Sequence, residues 1–380
     1  MANKTTEFLI THNIEESIKH RSPENKHARK LYKEKHPARI LLFKCMDGRV
    51  HIAKFTNIPT GILRPYRTLG GIFDLGDSYL SDLVEKTVGH CSSKKPCLIV
   101  STYHFSKGSE KRCCAGHDNN TTQALTWAKR LRDQFKSVFL EKRKEGILYS
   151  IVMGIETDNQ SLIFHNKNGE IFNVFENLDI SREEILLKML KIFPDVSDEV
   201  MNALMELVMG NYNYLKNSEN KEKVLLDREH KELSLCIGLG FDWLHIPNKA
   251  LIVSPFRSHL QTLDDCIATA ASIILKNIKA GRADEKDGVT ILCAGLLFKE
   301  HTNDEAQKMR AYFLYKTAKK VIEKRVPDLL KHNLEYIVGV TSHETRLFTE
   351  FDPHEFEKNF EKEIVLHPEE RLLLNSLSEN

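Results

Sequence analysis

Three residues in the first third of the chain carry side chains that bind soft metal ions. Cys45 ends the apolar run ARILLFKC, His104 lies near the end of a second run, CLIVSTYHF, and nine residues separate His104 from Cys114. Two thiolates and an imidazole suit zinc, and three protein ligands leave a fourth position for water. The set predicts one zinc ion per chain, with cadmium or cobalt as substitutes that thiolates also accept.

Two neighbouring residues are alternatives for parts of this site. Cys113 carries the same thiol as Cys114, but the spacing and the nearby Gly116 favour Cys114 as the third ligand. His117 is a candidate for proton transfer or for a fourth ligand, although a histidine in an exposed loop usually does neither. Structural zinc sites typically use paired Cys-x-x-Cys motifs, which this chain lacks, so a closed four-ligand site is less favoured.

The ligands lie at the ends of predicted strands. Residues 38–45, 97–105 and 149–156 have the length and apolar content of buried strands, and residues 77–90 and 122–144 have helical spacing. Strands that alternate with helices predict an α/β domain with a central, mostly parallel sheet. In such sheets the active site lies at the carboxyl ends of the strands.

A similar pattern recurs in the second half of the chain. Residues 231–243 resemble residues 37–50, with Cys236 opposite Cys45, and residues 288–298 resemble residues 95–105. A repeat of this length indicates a duplicated domain.

The second copy lacks the residues of the first site. Gly238 and Gly240 stand opposite Asp47 and Arg49, Leu296 or Leu297 stands opposite His104, and no cysteine follows in the next loop. The predicted segments are a helical N-terminal arm (1–37), a catalytic domain (38–180), a helical linker (181–225), a degenerate second repeat (226–365) and a C-terminal tail (366–380).

The segment Cys45-Met46-Asp47-Gly48-Arg49, followed by His104 and Cys114, resembles the β-carbonic anhydrases. Ordinary members have two residues between the histidine and the second cysteine. The wider spacing here is closest to the ζ-class enzymes of diatoms and to the carboxysomal shell enzyme, which also carries a degenerate second copy. Residues 67–71 resemble the family's Arg-Asn-Ala-Gly-Gly segment and depart from it at Thr68 and Leu69.

The resemblance implies a zinc-dependent carbonic anhydrase, a lyase that reversibly hydrates carbon dioxide to bicarbonate by zinc-bound hydroxide. Cys45, His104 and Cys114 would be the ligands. Arg49 would pair with Asp47 and keep it ionised and off the metal, and Asp47 would accept a hydrogen bond from the hydroxide. Gly70 and Gly71 would let backbone approach the substrate closely.

The family also implies how the second half is used. Its members generally form dimers in which each domain helps to enclose the partner's site. The degenerate repeat is therefore expected to act as that partner within one chain, giving a pseudo-dimer with one active site. A homo-oligomer of such chains is compatible with this arrangement.

Two other functions remain open at this point. The same site could hydrolyse carbonyl sulfide or carbon disulfide, which are linear molecules of similar shape, or the chain could be a non-catalytic zinc-binding or thiol protein. A structural metal site does not need the Asp47–Arg49 pair, so that pair favours catalysis.

Bulk composition narrows the class of protein. The chain has 380 residues, of which 41% are apolar and 28% charged, and a net charge of +2, which is typical of a globular protein with room for two domains. No apolar run approaches the roughly 20 residues of a membrane span, and the N-terminus lacks the features of a secretory signal. We expect a cytoplasmic protein without a membrane or nucleic-acid partner. The other five cysteines are expected to be buried, free thiols: Cys91, Cys97, Cys236, Cys266 and Cys293.

Overall fold

Two mixed, mostly parallel β-sheets organise the chain, one in each half. The computed structural model describes residues 2–217, 228–256, 258, 260–298 and 304–363. The strands are β1 Arg39–Cys45, β2 Leu63–Thr68, β3 Cys97–Phe105, β4 Leu148–Glu156, β5 Ser161–His165, β6 Ile171–Asn173, β7 Ser234–Gly238, β8 Ala250–Val253, β9 Val289–Leu297, β10 Leu334–Ser342 and β11 Phe348–Glu350. The predicted α/β class and the three predicted strands of the first half are confirmed.

The two sheets have the same topology over five strands. The first has the order β2-β1-β3-β4-β5-β6, and the second has the order β8-β7-β9-β10-β11. In each sheet the first four strands of that order are parallel, and the fifth is antiparallel. Helices connect most of the parallel strands, as is usual for such crossovers, whereas residues 239–249 join β7 to β8 without a helix.

Helices cover both faces of each sheet. In the described residues they are α1 Lys4–Arg21, α2 Pro23–Lys35, α3 Ile52–Phe55, α4 Ser78–Gly89, α5 Thr121–Val138, α6 Leu140–Lys144, α7 Arg182–Ile192, α8 Asp198–Lys216, α9 Leu263–Lys279, α10 Asp304–Arg325 and α11 Pro353–Glu363. Asn120 accepts a hydrogen bond from the Gln123 amide and caps the start of α5, but the single helix predicted over residues 122–144 breaks at Phe139. Among these helices, none has the length and apolar content needed to cross a bilayer.

The first sheet lies between α4 and α5 on one face and α7 and α8 on the other. Phe43 and Ile99 pack with α4 and α5, whereas Leu42 and Val100 pack with α7 and α8. The helices predicted as a linker (181–225) therefore belong to the core of the first half, which corrects that boundary. Residues 218–225 of the predicted linker and the whole predicted tail (366–380) lie outside the described residues.

The second sheet is covered by α9 and α10 on one face and by α1 on the other. Leu9 of α1 packs with Cys236, Leu292 and Ile337. The predicted N-terminal arm is therefore not a separate unit, because its first helix supplies an outer layer of the C-terminal half.

An asparagine holds the fifth strand of each sheet in the same way. Asn211 of α8 accepts a hydrogen bond from the Leu162 amide at 2.9 Å, and Asn13 of α1 accepts one from the Phe348 amide at 2.8 Å. Leu162 pairs with Ile155, and Phe348 pairs with Thr341. Ile155 and Thr341 are both the eighth residue of their strand, so the register of the two sheets can be matched residue by residue.

This register corrects the predicted alignment of Cys236 with Cys45. Cys236 pairs with Leu292, the fourth residue of β9, and Leu42 pairs with Val100, the fourth residue of β3. Cys236 therefore corresponds to Leu42, three residues before Cys45, and an odd shift turns a side chain to the other face of a sheet. By the same count, Leu239 corresponds to Cys45, and Leu296 corresponds to His104.

Candidate metal centre

The three predicted ligands meet at the carboxyl edge of the first sheet. Cys45 ends β1, His104 is the last residue but one of β3, and Cys114 follows in the loop before α5. β1 and β3 are neighbouring parallel strands, so their carboxyl ends lie side by side. All three side chains are buried, and their ligand atoms lie within 4.8 Å of one another.

The geometry fits a tetrahedral metal ion. The Sγ atoms of Cys45 and Cys114 are 3.7 Å apart. Two zinc–sulfur bonds of about 2.3 Å at a tetrahedral angle would place the sulfurs about 3.8 Å apart. Both ring nitrogens of His104 are buried without a hydrogen-bond partner. Such unpaired polar atoms are costly in a protein interior, and a metal ligand bond would satisfy one of them.

The surroundings favour a thiolate at Cys45. The hydrogen bond with Cys114 and the neighbouring His104 lower the pKa of the Cys45 thiol well below its ordinary value, although burial opposes the shift. The same hydrogen bond raises the pKa of Cys114, and burial raises it further. Bound metal would take the place of the shared proton.

Arg49 fixes the carboxylate of Asp47 from three directions. Its Nη2 lies 2.7 Å from Oδ2, and its Nε and backbone amide lie 3.1 and 2.8 Å from Oδ1. The guanidinium also donates to the carbonyl oxygens of Arg112 and Arg228 at 2.8 and 3.1 Å. Burial alone would raise the pKa of Asp47, but Arg49, His230 and His104 hold that pKa well below its usual value. Asp47 is therefore ionised, and its Oδ2 lies 3.6 Å from Nε2 of His104.

Cys113 has a different role from Cys114. Its Sγ accepts hydrogen bonds from the Ser106 amide at 3.4 Å and from Oγ1 of Thr121 at 3.6 Å. These contacts tie the ligand loop to the end of β3 and to the start of α5. Within the described residues, the metal-ligand cluster includes Cys114 and leaves Cys113 outside.

His117 supports the loop that faces the site. The sequence predicts that His117 lies in an exposed loop. The structure shows instead that His117 is buried, and its Nε2 lies 2.8 Å from the carbonyl oxygen of Gly70. Burial lowers its pKa, so the ring is neutral near pH 7. Gly70 has a φ of +70°, and a Cβ there would come within 2.9 Å of Nε2 of His117. Glycine is required at this position for both reasons.

The second half forms one wall of the centre. The amides of Asn248 and Ile252 donate to the carbonyl oxygens of Gly48 and Met46 at 2.8 and 3.1 Å. The approach is close enough that a Cβ on Gly48 would lie 2.5 Å from Oε1 of Glu232. The turn that carries Asp47 and Arg49 is therefore held by backbone from the other half of the chain.

Two residues of the second half reach the site and were not anticipated from the sequence. His230 and Glu232 form a second group with Asp47, whose possible ligand atoms also lie within 4.8 Å of one another. Arg49 already binds both oxygens of Asp47, so we interpret this group as a hydrogen-bonded chain rather than a second metal site. No local sequence motif marks residues 230–232. Their place in the site becomes visible only from the contact between the two halves.

The centre thus combines soft ligands with an ionised carboxylate that is locked beside them. The ligand set can hold a metal ion, and the carboxylate can accept a hydrogen bond from a group bound next to His104. Neither a protein-family model nor a curated protein matches this sequence.

Proposed function

We propose that the chain is a zinc-dependent carbonic anhydrase, a lyase with one active site per chain. The observation that carries this proposal is the position of Asp47, which is buried, ionised and locked by Arg49 at 3.6 Å from the ligand His104. A metal that only stabilised the fold would not need this carboxylate. When bound, zinc would supply an activated water for attack on carbon dioxide.

The protein's own residues prepare that chemistry. Cys45, His104 and Cys114 would hold the ion as two thiolates and a neutral imidazole, and the thiolates would offset its charge. Arg49 keeps Asp47 from turning towards the ion as a fourth ligand, since it binds both carboxylate oxygens. An ionised Asp47 can only accept hydrogen bonds. It therefore orients any hydroxyl donor beside His104 so that the lone pairs of that donor point away from Asp47.

The second half supports the proposal as an enclosing wall. Cys45, Met46, Leu69 and Cys114 pack in one apolar cluster with residues of β7 and α9, including Ile267. Such a wall excludes bulk water and suits an apolar substrate such as carbon dioxide. The second half would then serve as the partner domain of a pseudo-dimer, while its own sheet has leucines at the ligand positions.

The test is stopped-flow hydration of carbon dioxide by purified protein whose zinc content has been measured. Cys45→Ser and Asp47→Ala are the test variants, and Cys113→Ser is the matched control because its sulfur lies outside the ligand cluster. We expect zinc near one per chain, loss of zinc and activity in Cys45→Ser, and loss of activity with zinc retained in Asp47→Ala.

Other outcomes would redirect or overturn the proposal. Zinc near one per chain with release of hydrogen sulfide from carbonyl sulfide or carbon disulfide, but no hydration of carbon dioxide, would assign the alternative substrates. Zinc without either activity would indicate a non-catalytic metal protein. A zinc-free protein that cannot be loaded would contradict the site itself.

A further inference from the structure

His230 lies between Asp47 and solvent at the boundary of the two halves. It precedes β7, and its side chain is 20% exposed, whereas that of Asp47 is 5% exposed. Nε2 of His230 lies 3.6 Å from Oδ2 of Asp47, and the same oxygen lies 3.6 Å from Nε2 of His104. One carboxylate oxygen thus stands between the ligand His104 and a partly exposed imidazole.

Glu232 fixes the orientation of this imidazole. Both of its carboxylate oxygens lie 3.0 Å from Nδ1 of His230, and its side chain is completely buried. Asn277 donates to Oε2 of Glu232 at 3.2 Å, and Arg282 donates to the carbonyl oxygen of His230 at 3.0 Å. A carboxylate against Nδ1 keeps the proton on that nitrogen, which leaves Nε2 as the acceptor of the neutral ring.

The charges around His230 favour its protonated form. Burial alone would lower its pKa, and Arg49 acts in the same direction, but Glu232 and Asp47 together raise the pKa above its ordinary value. Histidine is the side chain whose ordinary pKa lets it both accept and release protons near neutral pH. The hydration of carbon dioxide releases one proton in each turnover, and that proton has to leave a buried site.

We propose that His230 is the proton-transfer residue that carries this proton from the Asp47 side of the site to solvent, an inference that rests on the proposed function. In the hydration direction, Nε2 takes a proton from a water molecule held at Oδ2 of Asp47, so one O–H bond breaks and one N–H bond forms. The hydroxide that remains is the nucleophile that the next carbon dioxide consumes to give bicarbonate. Glu232 balances the charge of the imidazolium. Nε2 then gives the same proton to a buffer base, and dehydration runs through these steps in reverse.

The kinetic test compares His230→Gln with the unmodified chain in low and high concentrations of buffer. Loss of a proton carrier lowers kcat but leaves kcat/KM unchanged, because the attack on carbon dioxide comes before proton release. We expect kcat in dilute buffer to fall about 100-fold or more, in keeping with the usual size of acid–base contributions. Added imidazole should restore kcat towards that of the unmodified chain.

His36→Gln is the matched control for this substitution. His36 also pairs with a glutamate, since its Nε2 lies 3.6 Å from Oε2 of Glu206, and its side chain is 16% exposed. It precedes β1, at the opposite end of the sheet from Cys45. We expect the kcat of His36→Gln to match that of the unmodified chain at every buffer concentration.

A measurement without turnover tests the same assignment. In zinc-loaded protein labelled with nitrogen-15 in its histidines, the signal missing from His230→Gln identifies the His230 ring. We expect that ring to be protonated at Nδ1 when neutral and to have a pKa above 6.5. Glu232→Gln should lower that pKa, because it removes the main charge that raises it.

The outcomes separate this inference from the proposed function. Unchanged kcat of His230→Gln in dilute buffer would overturn the proton-transfer role while carbonic anhydrase activity stands. Parallel losses of zinc, kcat and kcat/KM without rescue by imidazole would show a structural role and also overturn it. An unmodified chain that binds zinc but does not hydrate carbon dioxide would overturn the proposed function and the inference together.

Discussion

The two halves share a strand order but differ at the carboxyl ends of their strands. Cys45 and His104 stand where the second sheet has Leu239 and Leu296. Strand order depends on burying both faces of a sheet under helices, whereas ligands sit beyond that core at the strand ends. The comparison teaches that two halves with the same order over five strands need not carry the same side chains at the strand ends.

The halves also differ in how their outer layers are supplied. α8 follows its own sheet in the chain, but α1 reaches the second sheet from the other end of the sequence. Asn211 and Asn13 nevertheless make the same hydrogen bond to the fifth strand. The position of a covering helix is therefore repeated even where its place in the sequence is not.

The sharpest contrast is between adjacent cysteines of the first half. We expect Cys114→Ser to reduce bound zinc from one per chain to nearly none, because the cluster would lose one of three ligands. Cys113→Ser should retain the ion, since that sulfur bonds to Ser106 and Thr121 instead. Metal content after dialysis, measured by mass spectrometry, checks this, and equal retention by both variants would contradict the ligand assignment.

A second contrast breaks one buried ion pair in each half. Arg49→Met leaves Asp47 buried without its guanidinium partner, for which the expected loss in the free energy of unfolding is about 3–5 kcal/mol. Arg346→Met removes the partner of Asp242, 3.0 Å away, but the Asp242 side chain is 19% exposed and keeps some hydration, so its loss should be smaller. Urea unfolding of both variants at equal zinc content measures the difference. A larger loss in Arg346→Met would contradict the ranking.

The pH dependence of stability provides a third contrast. Burial lowers the pKa of His245 in the second half, and of His165 in the first, to about 4. The unfolded chain, with histidine pKa values near 6.5, binds more protons between pH 4 and 6.5, so stability falls as pH falls through that range. His245→Gln should reduce this loss in the free energy of unfolding by about 3 kcal/mol. Urea unfolding at pH 7 and at pH 4.5 checks this, and an unchanged slope in the variant would exclude His245 as a cause.

The smallest expected effects concern the two matched asparagines. Asn211 makes hydrogen bonds to Leu162, Phe55 and Gln160, and Asn13 makes them to Phe348 and Arg346. Each alanine substitution should cost about 1–3 kcal/mol, because buried backbone groups lose their partners. Thermal unfolding of both variants tests whether α1 and α8 contribute equally to stability. A negligible effect of Asn13→Ala would show that the packing of α1 adds little to the stability of the second half.

Much of the first half could be predicted because its signals are local. The strands 38–45, 97–105 and 149–156 are apolar runs of strand length, and the predicted ligands lie at or just beyond their ends. Cys45, Asp47 and Arg49 are close in sequence, so their grouping required no knowledge of the fold.

The remaining features depend on contacts between distant segments. A strand buried on both faces shows no alternation of polar and apolar residues, so the three-residue shift of Cys236 could not be detected from the sequence. His230 and Glu232 gain their setting only from the contact with Asp47. Likewise, the mostly polar composition of α1 gives no indication that Leu9 is buried under the second sheet.

The docking of α1 on the second sheet also sets an order of assembly during synthesis. α1 leaves the ribosome before the second sheet, but Asn3 bonds to the carbonyl oxygen of Val289, 286 residues later, and Asn13 to that of Arg346, 333 residues later. At about 5–20 residues per second, the helix waits roughly 15–70 seconds for these partners. The first sheet, with α7 and α8, can close during that time from residues already made. α1 is therefore made long before the strands that it covers and docks only after them, and the C-terminal half cannot be completed without it.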